Sequence, residues 1–169
     1  MAQKFQTARA DEYLERLRER LPNKTLRHVR GVAEMMLRVH EEAGISEEQA
    51  VAAGLLHDYC KAMKPAALLE QTDAYELDVP DVWLENPTLL HGPVAAVMIQ
   101  RDLNVSDPEV IDAIFWHTTG KPDWNNVGLA LYFSDFSEAN RPLPEAAEAR
   151  AILEAKGFEA GLRYVADAK

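Results

Sequence analysis

A chain of 169 residues, 47% hydrophobic and 27% charged, has the size and composition of one globular domain with room for a buried core. Its 28 acidic residues outnumber 18 basic ones, and the net charge of −10 opposes binding to nucleic acid through phosphate-neutralising lysine and arginine patches. No apolar run approaches the roughly eighteen residues that cross a bilayer, and Met1–Gln6 lacks the apolar core of a signal peptide. The single cysteine, Cys60, permits no internal disulfide and fits a reducing cytoplasm, where it reads as a small packing residue.

Helical signals dominate and no convincing strand appears, so the expected fold class is all-α, with about seven to nine helices in one domain over 1–169. Residues 9–21 place Tyr13, Leu14, Leu17 and Leu21 at helical spacing, and Pro22-Asn23 breaks the run. A second helix is expected over Thr25–Ala43, with Val29, Val32, Met36 and Val39 facing inward and Gly44 closing it. Ser46-Glu47-Glu48-Gln49 is a capping-box pattern for a third, which Lys64-Pro65 ends. On that helix Ala50, Ala53, Gly54 and His57 share a face, and the small side chains admit another helix at close range. Residues 65–90 are less regular: Pro65–Gln71 is compatible with a short helix, and Asp73–Pro87 reads as a loop forming part of the wall over a site. His91-Gly92-Pro93 opens a helix through about Leu103, and Asp107-Pro108 starts one that reaches His117. Val127–Phe136 is expected to be helical. Two C-terminal helices follow, Pro144–Ala155 and Phe158–Ala168, parted by Gly157.

The stretch Gly54-Leu55-Leu56-His57-Asp58-Tyr59-Cys60-Lys61 organises the rest. Leucines belong in a core, where an imidazole and a carboxylate without partners would cost several kcal/mol; a cation satisfies both. His28, His91 and His117 have similar addresses at helix ends, and Asp135 stands in an apolar helix. Imidazole nitrogen with carboxylate oxygen suits Fe, Mn, Zn or Ni, and no cysteine pattern supports a structural thiolate zinc. Six such side chains suffice for two octahedral metals if one carboxylate bridges and water fills the remaining positions, and Asp58 is the natural bridge. Against this stands the plainer reading that each histidine is a hydrogen-bonded core residue. The ordered set, each member on a different helix, favours the metal. His40, flanked by Glu41 and Glu42, has no place in it.

The order His28 … His57-Asp58 … Asp135 resembles the HD-domain metal-dependent phosphohydrolases. Arg27-His28, the block Gly54–Lys61, Leu90-His91-Gly92-Pro93, His117-Thr118-Thr119-Gly120 and the helix ending in Asp135 are similar to the YqeK subfamily, over roughly residues 25–141. The resemblance implies an HD-type helical bundle, a di-iron site and symmetrical hydrolysis of diadenosine tetraphosphate to two ADP. It implies one metal held by His28, His57, Asp58 and Asp135. The second would be held by His91 and His117 with Asp58 shared, and a hydroxide between the two would attack phosphorus. Lys61, three residues after Asp58, is expected to neutralise the transferring phosphate. Arg141 and Arg27 are candidates to clamp the remaining phosphates, and Thr118 and Thr119 to donate hydroxyls to them. Trp83, Trp116 and Trp124 read as core, with stacking on a base as the alternative. One block departs: where the subfamily reads Ala-Asp-Tyr-Ile-Glu-Pro followed by Arg, this chain has Ser134-Asp135-Phe136-Ser137-Glu138-Ala139-Asn140-Arg141.

Three further readings stand beside this one: a phosphohydrolase for another nucleotide or dinucleoside polyphosphate, a nucleotide sensor that keeps metals without turnover, and a metal-free helical scaffold. The expected partner is a small-molecule nucleotide, with no nucleic acid and no membrane; a homodimer is left open.

Overall fold

The computed structural model describes Phe5 and residues 7–168, so the stretch Met1–Gln6 lies, apart from Phe5, outside the described residues. Among the described residues there are ten α-helices, one 3-10 helix and no strand, an all-α fold with slightly more helices than expected. The helices are α1 (Ala10–Arg20), α2 (Asn23–Ala43), α3 (Glu47–Leu56), α4 (Pro65–Ala74) and α5 (Asp81–Glu85). The 3-10 turn Pro87–Leu90 leads into α6 (His91–Leu103), α7 (Pro108–Trp116), α8 (Asn126–Ser137), α9 (Pro144–Lys156) and α10 (Phe158–Ala168). None is long and apolar enough to cross a membrane.

The core forms where α2, α3 and α8 meet. Val29, Val32, Met36 and Val39 of α2 are fully buried, as the helical spacing requires. Gly44 ends that helix in the left-handed region at φ 69°, its N–H returned to the Glu41 and His40 carbonyls. Ser46 and Gln49 complete the capping box of α3. Every residue from Ala50 to Leu56 is buried, so α3 is wrapped on all sides by α2, α7 and α8. Close approach depends on Gly54, where a Cβ would fall 2.5 Å from the Cα of Ala33 on α2.

Helix α3 stops at Leu56, nine residues before the proline expected to end it. From there the chain tightens into three-residue turns, Tyr59 N–H to the Leu56 carbonyl and Lys61 N–H to that of Asp58. The cause is local. A continuing α-helix would give the Gly54 carbonyl to the amide of Asp58, but the His57 ring takes it instead, with Nδ1 at 3.0 Å.

Residues 65–90 are more regular than expected, because Trp83 anchors them. Its ring is buried against Phe115 and Trp116, with ring centres 6.4 and 5.4 Å away. The segment backs His91, whose Nδ1 lies 2.6 Å from the Thr88 carbonyl, and does not line the main charged cavity described next.

Candidate metal centre

His57, His91 and His117 are set by one device. Each ring donates Nδ1–H to a carbonyl three residues earlier: Gly54 at 3.0 Å, Thr88 at 2.6 Å and Ile114 at 2.7 Å. A carbonyl only accepts, so the proton sits on Nδ1 and every Nε2 presents a lone pair. The three lone pairs converge on Asp58. Its Oδ1 lies 3.2 Å from His91 Nε2 and 3.5 Å from His117 Nε2, while its Oδ2 lies 3.7 Å from His57 Nε2 and 4.0 Å from His28 Nε2. The Nε2 atoms of His91 and His117 are only 3.1 Å apart. Two lone pairs facing each other at that distance call for a cation or a proton between them.

Two trios able to hold a metal result, His28–His57–Asp58 and Asp58–His91–His117, with Asp58 common to both. The fit has an independent sign in His57 Nε2, which is buried without any hydrogen-bond partner. Such an orphan is costly unless something absent from the chain itself completes it.

The electrostatics agree with that donor set. Burial pushes His57 down to about 4, so it is a neutral donor at neutral pH. Burial works against the Asp58 carboxylate, yet the surrounding imidazoles and Lys61 outweigh it and hold its pKa well below the ordinary range. His28 behaves differently. Desolvation would lower it, but Asp135 at 3.1 Å and Glu138 at 3.3 Å prevail and raise it to about 9. Asp135 is correspondingly lowered against burial, first by the His28 hydrogen bond. Cys60 is fully buried, its thiol pushed up to about 12 by desolvation and its Sγ 3.5 Å from Met98 Sδ, which suits a packing residue.

A cavity of about 390 Å³ opens over the cluster, lined by His28, Asp58, His117, Asp135, Lys61, Thr118 and Arg141, with Lys24 and Thr25 at its other side. Lys61 Nζ stands 3.6 Å from Asp58 Oδ1 and 3.2 Å from His91 Nε2. Thr118 Oγ1 lies 3.2 and 3.1 Å from the Nε2 atoms of His91 and His117. Arg141 grips Asp135 twice, Nη2 to Oδ1 at 2.6 Å and Nε to the backbone carbonyl at 2.9 Å. Two expected contributors are elsewhere. Arg27 is exposed and does not line this cavity, since it points off the face that carries His28; Lys24 and Thr25, one turn before His28, take that edge. Thr119 lines a neighbouring cavity. Sequence reasoning also missed Glu138, whose signal was its spacing three residues after Asp135. Its carboxylate is buried, accepts from His28 Nδ1 and holds the Asn140 amide at 2.6 Å.

This arrangement, imidazoles and paired carboxylates gathered from separate helices around one shared aspartate, is the mark of an HD site. Residues 25–157 match the HD domain, and the chain belongs to that family; it is a metal-dependent phosphohydrolase. More particularly, it is 31% identical over 144 residues to "Bis(5'-nucleosyl)-tetraphosphatase, symmetrical" of Bacillus subtilis (strain 168), covering 85% of this chain and 77% of that protein. It is 31% identical over 127 residues to the protein of the same name from Staphylococcus aureus (strain NCTC 8325 / PS 47), covering 75% of this chain and 65% of that one. The fold is shared with a predicted HD superfamily hydrolase involved in NAD metabolism from Clostridium acetobutylicum, at a TM-score of 0.79 and 23% identity over 94% of this chain and 97% of that one.

Proposed function

We propose that this chain hydrolyses diadenosine tetraphosphate symmetrically to two ADP, with two divalent transition metals, iron foremost among Fe, Mn, Zn and Ni. The observation that carries the reading is the pair of donor trios sharing Asp58, with the Nε2 of His57 left for an ion. The symmetrical tetraphosphatase activity named for the Bacillus subtilis and Staphylococcus aureus relatives supports the substrate. In this assignment His28, His57, Asp58 and Asp135 hold one metal, and His91 and His117 the other with Asp58 between. When bound, such a pair lowers the pKa of water and polarises phosphoryl oxygens.

The remaining side chains handle the phosphates. Lys61, half-exposed at the cavity edge, neutralises charge on the phosphoryl group being transferred. Thr118 donates its hydroxyl. Arg141 is oriented by Asp135 and turns its remaining donors to the distal phosphates. One water is consumed, the central P–O bond opens, and each half leaves as ADP. The single domain 1–169 does this in the cytoplasm on a small nucleotide, without nucleic acid or membrane.

The test is chromatography of products from the metal-loaded protein and diadenosine tetraphosphate. ADP as the sole product is expected; AMP with ATP refutes symmetrical cleavage, and binding without turnover identifies a sensor. His57→Ala should lose bound metal and activity together. A metal-replete, active variant contradicts the ligand assignment.

A further inference from the structure

A second cavity adjoins the charged one and shares His117 and Thr118 with it. Its volume of about 850 Å³ lies within the range of ligand sites. The character is different. Its walls include Pro122, Leu129, Leu162 and the rings of Trp124 and Tyr132, with Lys121 and Arg163 also lining it. No carboxylate is among the described residues that line it, in a chain with 28 acidic residues against 18 basic ones.

Trp124 is seated there by missing side chains. A Cβ on Gly128 would fall 2.1 Å from the indole Cε3 and 2.7 Å from Cζ3, and the Cβ position of Gly120 is 4.0 Å from Cζ2. The indole therefore rests on the bare backbone at the start of α8, with Tyr132 at a ring-centre distance of 6.4 Å. Trp83 and Trp116 pack with Phe115 and line neither cavity.

We propose that this cavity receives the base of the nucleotide whose phosphates occupy the charged cavity, and that Trp124 is its stacking wall. The inference rests on the phosphohydrolase reading above. A ligand filling both cavities needs an anionic end for the Lys61–Arg141 side and a flat, apolar end for the ring-lined side. A nucleotide has both. Aromatic faces accept a base by stacking, and the lack of a lining carboxylate removes repulsion toward the adjoining phosphates.

Calorimetric titration of the metal-loaded protein with ADP and with inorganic pyrophosphate tests it. The wild-type protein should bind ADP the more tightly. Trp124→Ala should weaken ADP roughly five- to a hundredfold while pyrophosphate changes by less than about twofold. Trp124→Phe should keep most of the ADP affinity. Gly128→Ala, favourable to a helix by itself, should unseat the indole and weaken ADP selectively, with thermal unfolding confirming that each variant is folded. Equal losses for both ligands, or none for ADP in Trp124→Ala or Gly128→Ala, overturn the assignment. If the wild type binds both equally, the base site alone fails; if it binds neither, the phosphohydrolase reading falls with it.

Discussion

Gly54→Ala tests the link between packing and the metal cluster most directly. The added methyl would stand 2.5 Å from Ala33 Cα and 2.8 Å from Ala33 N, where carbon contacts ordinarily lie at about 3.5–4.0 Å. Both obstructing atoms are backbone, so no rotamer relieves them, and α2 must move away from α3 by about an ångström. Two terms oppose. Overpacking of this kind costs up to about 3 kcal/mol, and replacing glycine by alanine within a helix returns about 1 kcal/mol. The net is about 2 kcal/mol, or a fall in Tm of roughly 4–8 °C for a chain of this size. Because α2 carries His28 and Gly54 itself accepts the His57 proton, the same displacement widens the 5.5 Å between those two rings. Metal uptake should fall along with stability. Thermal unfolding with and without added metal, together with metal analysis, reads both. Gly44→Ala is the control, at φ 69°: it should cost about 1 kcal/mol and leave metal content intact. A Gly54→Ala protein with wild-type Tm and metal content would refute the reasoning.

Glu138→Gln keeps an acceptor for His28 but removes its charge, and should weaken metal binding about 10–100-fold without unfolding the protein. Gly31→Ala should act alike, since its methyl would lie 2.3 Å from Glu138 Oε2; metal titration showing unaltered affinity in both would exclude this support role. In the metal-free protein the raised pKa of His28 contributes stability that is fully present below about 6.5 and is lost as pH rises through about 9, on the order of 3 kcal/mol. Urea midpoints should therefore fall over that window by more than those of His28→Gln, and parallel curves would contradict it. Ser134→Ala deletes a buried hydroxyl without a hydrogen-bond partner and should raise Tm by roughly 2–4 °C for about 1 kcal/mol gained; a lower Tm would mean that the hydroxyl is bonded.

Much of the helical frame was legible because its signals are local: the capping box at Ser46, Gly44 after α2, Pro108 following Asp107. The neighbourhood of His28, His57, Asp58, His91, His117 and Asp135 was legible too, since each polar group interrupts an apolar face. What escaped depends on contacts between distant segments or on side chains competing with the backbone. No periodicity shows that the His57 ring takes the Gly54 carbonyl and so ends α3. The helices in residues 65–90 are weak by themselves and form around Trp83, whose partners Phe115 and Trp116 lie on α7. Arg27 was a candidate for its guanidinium, whereas helical geometry gives the cavity edge to Lys24 and Thr25, four and three residues before His28.

The rings at the ends of α3 and α7 point the negative poles of both helices at one spot, with Asp58 and Asp135 beside them. Before any ion arrives, carboxylate charge is concentrated at that corner, while Lys24, Lys61 and Arg141 line the cavity over it. Occupancy by divalent cations reverses the sign of the potential there. Bound cations would thus add to the pull that Lys24, Lys61 and Arg141 already exert on an anionic nucleotide.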